Sequence, residues 1–392
     1  MTALGELAVS PGTLLMLSIG FLLLYLGIKK NYEPLLLVPI GFGLLLANFP
    51  GGNMSITPSN EENNIMHMTL LEIAKDHGIM NFLYYSLIKT GLLPPIIFMG
   101  VGALTDFGPL LRNLRLAFFG AAAQIGIFTV FLGALFIGFT TKEAASLGII
   151  GGADGPTAIY TTIILAPHLL GPIAIAAYSY MALVPVIIPL VVRFTVTKKE
   201  LRINMKEQDK RFPKKNTIKN LRAVKIIFPI VLGVMVSIMV PTAVPLVGML
   251  LFGNLVKEIG TSTARLQDAA SGSIMNAATI FLGLTVGATM TAEAFLNYQT
   301  IMIVVGGFVA FAISIFGGIM AVKVYNLFSA KKINPLIGAT GLSAVPMASR
   351  VANDLALKND PHNHLLQYAM ASNISGVIGS AVAAGVLISF LS

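Results

Sequence analysis

The stretch GGADGP, residues 151–156, sets one carboxylate, Asp154, between glycines and a proline inside an apolar run. Pro156 suits the first position of a new helix, with Asp154 or Gly155 at its cap. The glycines let the preceding half-helix unwind. Unwound backbone at membrane depth is tolerated only where it is buried in protein or lines a cavity. Freed carbonyls beside a carboxylate make a hard-oxygen site for a small cation. A plain helix cap would also explain the spacing. An ionised Asp in hydrocarbon, however, costs about 2.5–3.5 kcal/mol even on the lenient insertion scale. A Ser or Asn cap would avoid that cost, so cation ligation or proton exchange is the better account.

Further polar groups lie in apolar surroundings. In NISGVIGSAVAAG, residues 373–385, Asn373, Gly376 and Ser380 fall on one helical face by spacings of three, four and seven. Close packing explains the small residues there. It does not explain Asn373, whose amide needs a partner; Asn373 and Ser380 are therefore candidate ligands. AYSYMALVP, residues 177–185, carries Tyr178 and Tyr180 about two turns from the outer end of its run. Tyrosine favours the membrane interface, so an interfacial belt and a pore both remain open, with Tyr180 a candidate proton donor or hydroxyl ligand. The segment 333–358 offers Ser343, Arg350, Asn353 and Asp354. Arg350 suits a carboxylate arriving from the cytoplasm and equally suits a positive-inside anchor. Asp106 is expected to end a helix, and Asp268 to be solvated. Five scattered His and no Cys make a poor transition-metal site and exclude disulfides and a Cys nucleophile.

The elements that must hold these groups follow from composition. The chain is 55% hydrophobic and only 11% charged, against about 25% charged in a soluble domain, so the bilayer is the solvent. Apolar runs fall at 13–28, 33–49, 79–105, 113–139, 171–196, 224–240, 242–257, 276–291, 299–322 and 365–391. Two Gly/Pro-rich stretches, 141–168 and 333–358, read as re-entrant hairpins, and Pro94–Pro95 breaks the third run. The segment before Thr13 lacks a basic start, which predicts a retained first span rather than a cleaved signal.

The loop 197–225 has eleven Lys/Arg against three acids, which predicts a cytoplasmic position. Tracing outward from it puts Lys29, Arg112, Lys257, Lys323, Lys331 and Arg350 inside, and Glu61, Glu62 and Glu293 outside, with both termini outside. Lys75 and Lys89 are weak exceptions. The net charge of +9 is thus a topology signal, and no nucleic-acid partner is expected. The order of elements before the basic loop recurs after it, and LGIIGGADGPTAIYTT parallels PLIGATGLSAVPMASR. Five spans per half force opposite orientations. The expected architecture is an all-α integral membrane protein of about ten spans and two broken hairpins in inverted repeats, 1–196 and 226–392, joined by the basic loop. Such proteins place their site where broken helices meet.

Several long motifs in order, IGGADGPTAIY, AAYSYMALVP, PPIIFMGVGALTDFGPLL, TIFLGLTVGATM, GLSAVPMASRVAN and NISGVIGSAVAAG, resemble the beta subunit of biotin-dependent, sodium-pumping decarboxylases, from about Glu33 to the C-terminus. That family acts on oxaloacetate, methylmalonyl-CoA or glutaconyl-CoA. The resemblance implies a membrane subunit that decarboxylates carboxybiotin, takes up an outer proton and exports sodium. It implies a scaffold with a mobile, elevator-like core and subunits that associate with one another. It also implies a carboxyltransferase subunit, a biotin carrier protein and a small gamma/delta-type membrane subunit as partners in the cell inner membrane. On the matching motifs Asp154 is the central sodium/proton residue, joined by Asn373, Ser380 and Tyr180. Arg350 and Ser343 are expected to hold carboxybiotin at the inner mouth. Biotin attachment in this family uses a Lys flanked by Met. No Met-Lys-Met occurs here, so the biotin is expected on another chain. A stand-alone sodium/proton exchanger would explain the repeat and Asp154 equally well; a purely structural subunit would explain neither.

Overall fold

The computed structural model describes residues 10–31, 33–57, 65, 67–213, 220–344 and 346–392. Glu61 and Glu62, used above to orient the chain, lie outside the described residues, as do Lys214, Lys215 and Lys219 of the basic loop. Among the described residues every regular element is helical.

The main helices of the first half are α1 (Pro11–Lys30), α2 (Pro34–Asn48), α3 (Gly78–Leu83), α4 (Leu93–Leu104), α5 (Leu114–Ala123), α6 (Ile125–Ile137), α7 (Thr141–Gly148), α8 (Gly155–Leu165), α9 (Leu170–Ala182) and α10 (Val184–Thr195). The second half supplies α11 (Leu221–Met239), α12 (Val244–Ile259), α13 (Ala264–Ala269), α14 (Met275–Ala288), α15 (Tyr298–Phe328), α16 (Met347–Asn359) and α17 (Leu366–Leu391). Short loop helices stay unlabelled.

Among the described residues, seven helical stretches are long and apolar enough to cross a membrane, and two bent pairs raise the number to nine. The third run bends by 66° between Ile88 and Leu93, just ahead of Pro94. The run expected as one straight span at 171–196 is bent by 68° between α9 and α10. Proline has no N–H and clashes with the carbonyl four residues back, and Pro185 stands at the start of α10, where that costs least. Helix α2, with 15 residues, is too short to cross about 30 Å of hydrocarbon unaided.

The third segment of each half contains a π-helical turn, Tyr84–Ile88 in one and Ala270–Ile274 in the other. Helix α2 packs on α14, and α4 packs on α12. Both contacts bring backbones together. A Cβ on Gly43 would lie 2.3 Å from the Leu284 carbonyl oxygen, and one on Gly253 would lie 1.9 Å from that of Met99. Only glycine permits so close an approach.

One apolar core runs through α5–α10 and α15–α17. A second joins α1 and α2 to α3, α4 and α14 and takes in one face of α8 and α9, and a third joins α4 to α11, α12 and α17. The two hairpins and α17 share the first core as one bundle. The paired helices α2–α14 and α4–α12 build a second, against which α8, α9 and α17 pack.

Candidate functional site

The first hairpin descends as α7, tightens into a 3₁₀ turn at Ile149–Gly152 and restarts as α8. Ala153, at the break, is held at φ 55°, a left-handed conformation that an alanine adopts only at a cost. Asp154 follows in extended backbone and caps α8, accepting from the Thr157 N–H at 3.3 Å. The cap expected from Pro156 is present. The carboxylate nevertheless has a second partner from the far end of the chain: its Oδ2 accepts from the Ser380 hydroxyl at 3.0 Å. Asp154 is 6% exposed.

The second hairpin breaks as a 3₁₀ turn, Pro335–Thr340, and resumes at α16. Its connecting segment meets the first hairpin directly, because the Ser343 N–H donates to the Gly152 carbonyl at 3.0 Å. The Ser343 and Ser380 hydroxyls lie 2.6 Å apart. Asp154, Ser380 and Ser343 thus form one chain of oxygens, drawn from both hairpins and α17.

Asn373 is fully buried but does not touch Asp154. Its amide donates to the Leu342 carbonyl and accepts from the Ser349 hydroxyl at 3.1 Å. Seven residues at 1.5 Å each place it about 10 Å along α17 from Ser380. It is bonded to the second hairpin instead. Arg350, next to Ser349, is exposed. Asn353 accepts from the Leu365 and Leu366 N–H groups at 2.9 and 3.2 Å, holding the start of α17.

Tyr180 is not brought to the carboxylate: its hydroxyl donates to the Val304 carbonyl and its ring packs edge-on against Phe308, both on α15. Tyr178 occupies the place beside Asp154. A Cβ on Gly155 would stand 2.2 Å from the Tyr178 ring, and the phenol oxygen is buried without a partner. Two residues along a helix turn a side chain by about 200°, so only one of these tyrosines can face the hairpin.

Two other acids are accounted for. Asp268 is exposed. Asp106, beyond the end of α4, pairs with Lys225 at 2.5 Å and accepts from the Gly108 N–H at 2.8 Å. Burial works to raise the Asp106 carboxyl pKa, but the Lys225 and Gly108 bonds and the Lys225 charge outweigh it and hold it below the usual carboxylate value. Among the described residues no three His, Cys, Asp or Glu side chains cluster as metal ligands. A single buried carboxylate with neutral hydroxyl oxygens suits a monovalent cation better than a transition metal.

Comparison with known proteins identifies the family. Residues 12–391 match the family described as the Na+-transporting oxaloacetate decarboxylase beta subunit, so the match begins well ahead of Glu33. The chain is 49% identical over 395 residues to methylmalonyl-CoA decarboxylase subunit beta of Propionigenium modestum, covering 98% of this chain and 96% of that protein. It is 44% identical to oxaloacetate decarboxylase beta chain 2 of Salmonella typhi, covering 99% and 97%. It is 45% identical to glutaconyl-CoA decarboxylase subunit beta of Acidaminococcus fermentans, covering 99% and 95%. A stand-alone exchanger is set aside by these matches. The chain is a multi-pass membrane protein and belongs to the family of sodium-transporting decarboxylase beta subunits, components of multi-subunit complexes.

Proposed function

We propose that this chain decarboxylates carboxybiotin delivered from the cytoplasm and couples the reaction to sodium export and proton uptake, with Asp154 as the exchanging group. The observation that carries the reading is the buried Asp154 carboxylate bonded to Ser380 where the two hairpins meet. A carboxylate in this position must be neutralised, by a cation or by a proton. Competition between the two for one group is what couples their movements. Sodium, the transported substrate, takes oxygens from Asp154, Ser380 and Ser343; proton arrival at Asp154 releases it. Asn373 and Ser349, about 10 Å further along α17, line the inner approach. Arg350, exposed beside them, meets the carboxylate of carboxybiotin, and Ser343 links that approach to the ion. Tyr180 serves as an outer proton relay only if the α9–α15 contact opens, since its hydroxyl is engaged by Val304.

The halves 1–196 and 226–392 act as inverted repeats. Support comes from the matching order of elements, the paired π-turns and the reciprocal contacts of α2 with α14 and α4 with α12. The bundle holding both hairpins moves as a core against the scaffold built from those pairs. The basic loop faces the cytoplasm and the chain resides in the cell inner membrane, with self-association of this subunit. Biotin is carried by a separate carrier protein and loaded by a carboxyltransferase subunit, which selects the acid; a small gamma/delta-type membrane subunit completes the complex.

The test uses the purified complex in proteoliposomes with free carboxybiotin as substrate. Asp154→Asn is expected to abolish sodium uptake and the sodium dependence of decarboxylation. Sodium uptake at the wild-type rate by that variant would refute the assignment.

A further inference from the structure

Gln124 stands between α5 and α6, at the middle of the span Leu114–Ile137. Its side-chain nitrogen lies within hydrogen-bonding reach of three carbonyl oxygens: Gly120 at 3.1 Å, Gly341 at 3.3 Å and Gly376 at 3.4 Å. These belong to α5, the second hairpin and α17. Their backbones are in mutual contact, for a Cβ on Gly376 would lie 2.3 Å from the Gly341 carbonyl oxygen.

This environment fixes the orientation of the carboxamide. Turning it over would set an oxygen against three carbonyl oxygens, so the nitrogen must face them. The amide oxygen is then forced to the opposite side, toward Gly152 of the first hairpin. There it is buried and has no hydrogen-bond partner, on a residue only 7% exposed. Leaving such an acceptor unsatisfied costs about 1–3 kcal/mol, more than most single contacts return.

The direction of that oxygen is the informative point. A Cβ built on Gly152 would lie 2.9 Å from the Ser380 Cβ and 3.6 Å from the Gln124 amide oxygen. Gly152 therefore lets the first hairpin pass closely between Ser380 and Gln124, with an Ile127 methyl 3.3 Å from the same point. Ser380 in turn touches Asp154 and Ser343. An oxygen that accepts but cannot donate, left idle across Gly152 from the serine that bonds the Asp154 carboxylate, is complementary to a cation.

We propose that the Gln124 amide oxygen is a further ligand of the transported sodium ion, completing a site with Asp154, Ser380 and Ser343. The assignment rests on the sodium-site reading above. It adds a neutral oxygen from a fourth element and gives Gln124 two tasks. Its nitrogen ties the second hairpin and α17 to α5, and its oxygen reaches the ion beside the first hairpin. Sodium binding is thereby read by all the elements that meet at the break.

The test compares Gln124→Met, Asp154→Asn and wild type in the reconstituted complex, with sodium titrated against potassium at constant ionic strength. Methionine keeps the length of the side chain and removes the oxygen. Half-saturating sodium for carboxybiotin decarboxylation is read separately from the maximal rate. A ligand predicts a rise of about tenfold or more in half-saturating sodium for Gln124→Met. A role confined to tying helices together predicts an altered maximal rate at unchanged half-saturation, and that outcome overturns the proposal. If Asp154→Asn loses sodium dependence while Gln124→Met keeps the wild-type half-saturation, the Gln124 assignment alone fails. If Asp154→Asn keeps sodium dependence, the underlying site fails. Should Gln124→Met not assemble, Gly152→Ala places a methyl group between Ser380 and the amide oxygen without touching the three carbonyls. It must raise half-saturating sodium in the same way, and a wild-type value there overturns the proposal.

Discussion

Replacing Ser380 with Ala tests the oxygen chain at its centre. The hydroxyl has one proton and three neighbours: Asp154 Oδ2 at 3.0 Å, the Val377 carbonyl at 3.0 Å and the Ser343 hydroxyl at 2.6 Å. With the carboxylate free, the proton can point to Asp154. With a cation bound, it can turn to Val377 and present a lone pair to the ion. The alanine variant loses both arrangements. A buried hydrogen bond to a charged group contributes about 1.5–3 kcal/mol. At about 1.4 kcal/mol per factor of ten, that corresponds to a rise of roughly 10- to 150-fold in half-saturating sodium. The assay is the initial rate of carboxybiotin decarboxylation by the reconstituted complex over a sodium series wide enough to saturate the variant. Ser343→Ala and the double variant close a cycle, and their effects should be clearly less than additive because the hydroxyls touch. A Ser380→Ala half-saturation within twofold of wild type would remove Ser380 from the site and break the link between Asp154 and α17.

Two other perturbations separate the site from its frame. Gly155→Ala would force a methyl group to within 2.2 Å of the fully buried Tyr178 ring; activity should fall at least tenfold and recover in part in Gly155→Ala/Tyr178→Val, whereas a double variant no better than the single would show that Tyr178 is not the obstacle. Gly253→Ala would place its Cβ 1.9 Å from the Met99 carbonyl oxygen, while a Cβ on Gly248 meets only Val244 of its own helix at 3.5 Å. Overpacking of this kind reaches about 3 kcal/mol, so gel filtration of the solubilised protein should show loss of the folded species for Gly253→Ala and little change for Gly248→Ala.

Much of this arrangement is legible in the chain because a bilayer narrows the choices. Apolar run length marks the spans, and a glycine-rich interruption holding an aspartate marks the first hairpin. The contact between Asp154 and Ser380 spans 226 residues, but each end stands out as a polar group in apolar surroundings. Other features escape such reading. The face turned by α9 depends on how it rotates against its neighbours, and this decides that Tyr178 and not Tyr180 meets Gly155. The separation of Asn373 from Asp154 depends on the depth at which α17 crosses the hairpin. Helix face alone grouped Asn373 with Ser380 and carried no information on depth. Gln124 did leave a signal, as the one carboxamide between Leu114 and Phe139. Polar side chains in mid-span are expensive and functional by default. Its neighbours GAAA and IG read as simple packing and drew attention away from it.

The glycine contact between α2 and α14 bears on how the polypeptide is made. Gly43 leaves the ribosome roughly 10–50 s before Leu284, the residue its backbone must touch, at ordinary translation speeds. Throughout that interval the short second helix has α1 beside it but not the partner that covers its Gly43 face. The α1–α2 pair therefore waits half-covered, and its burial is completed only when the C-terminal half delivers α14.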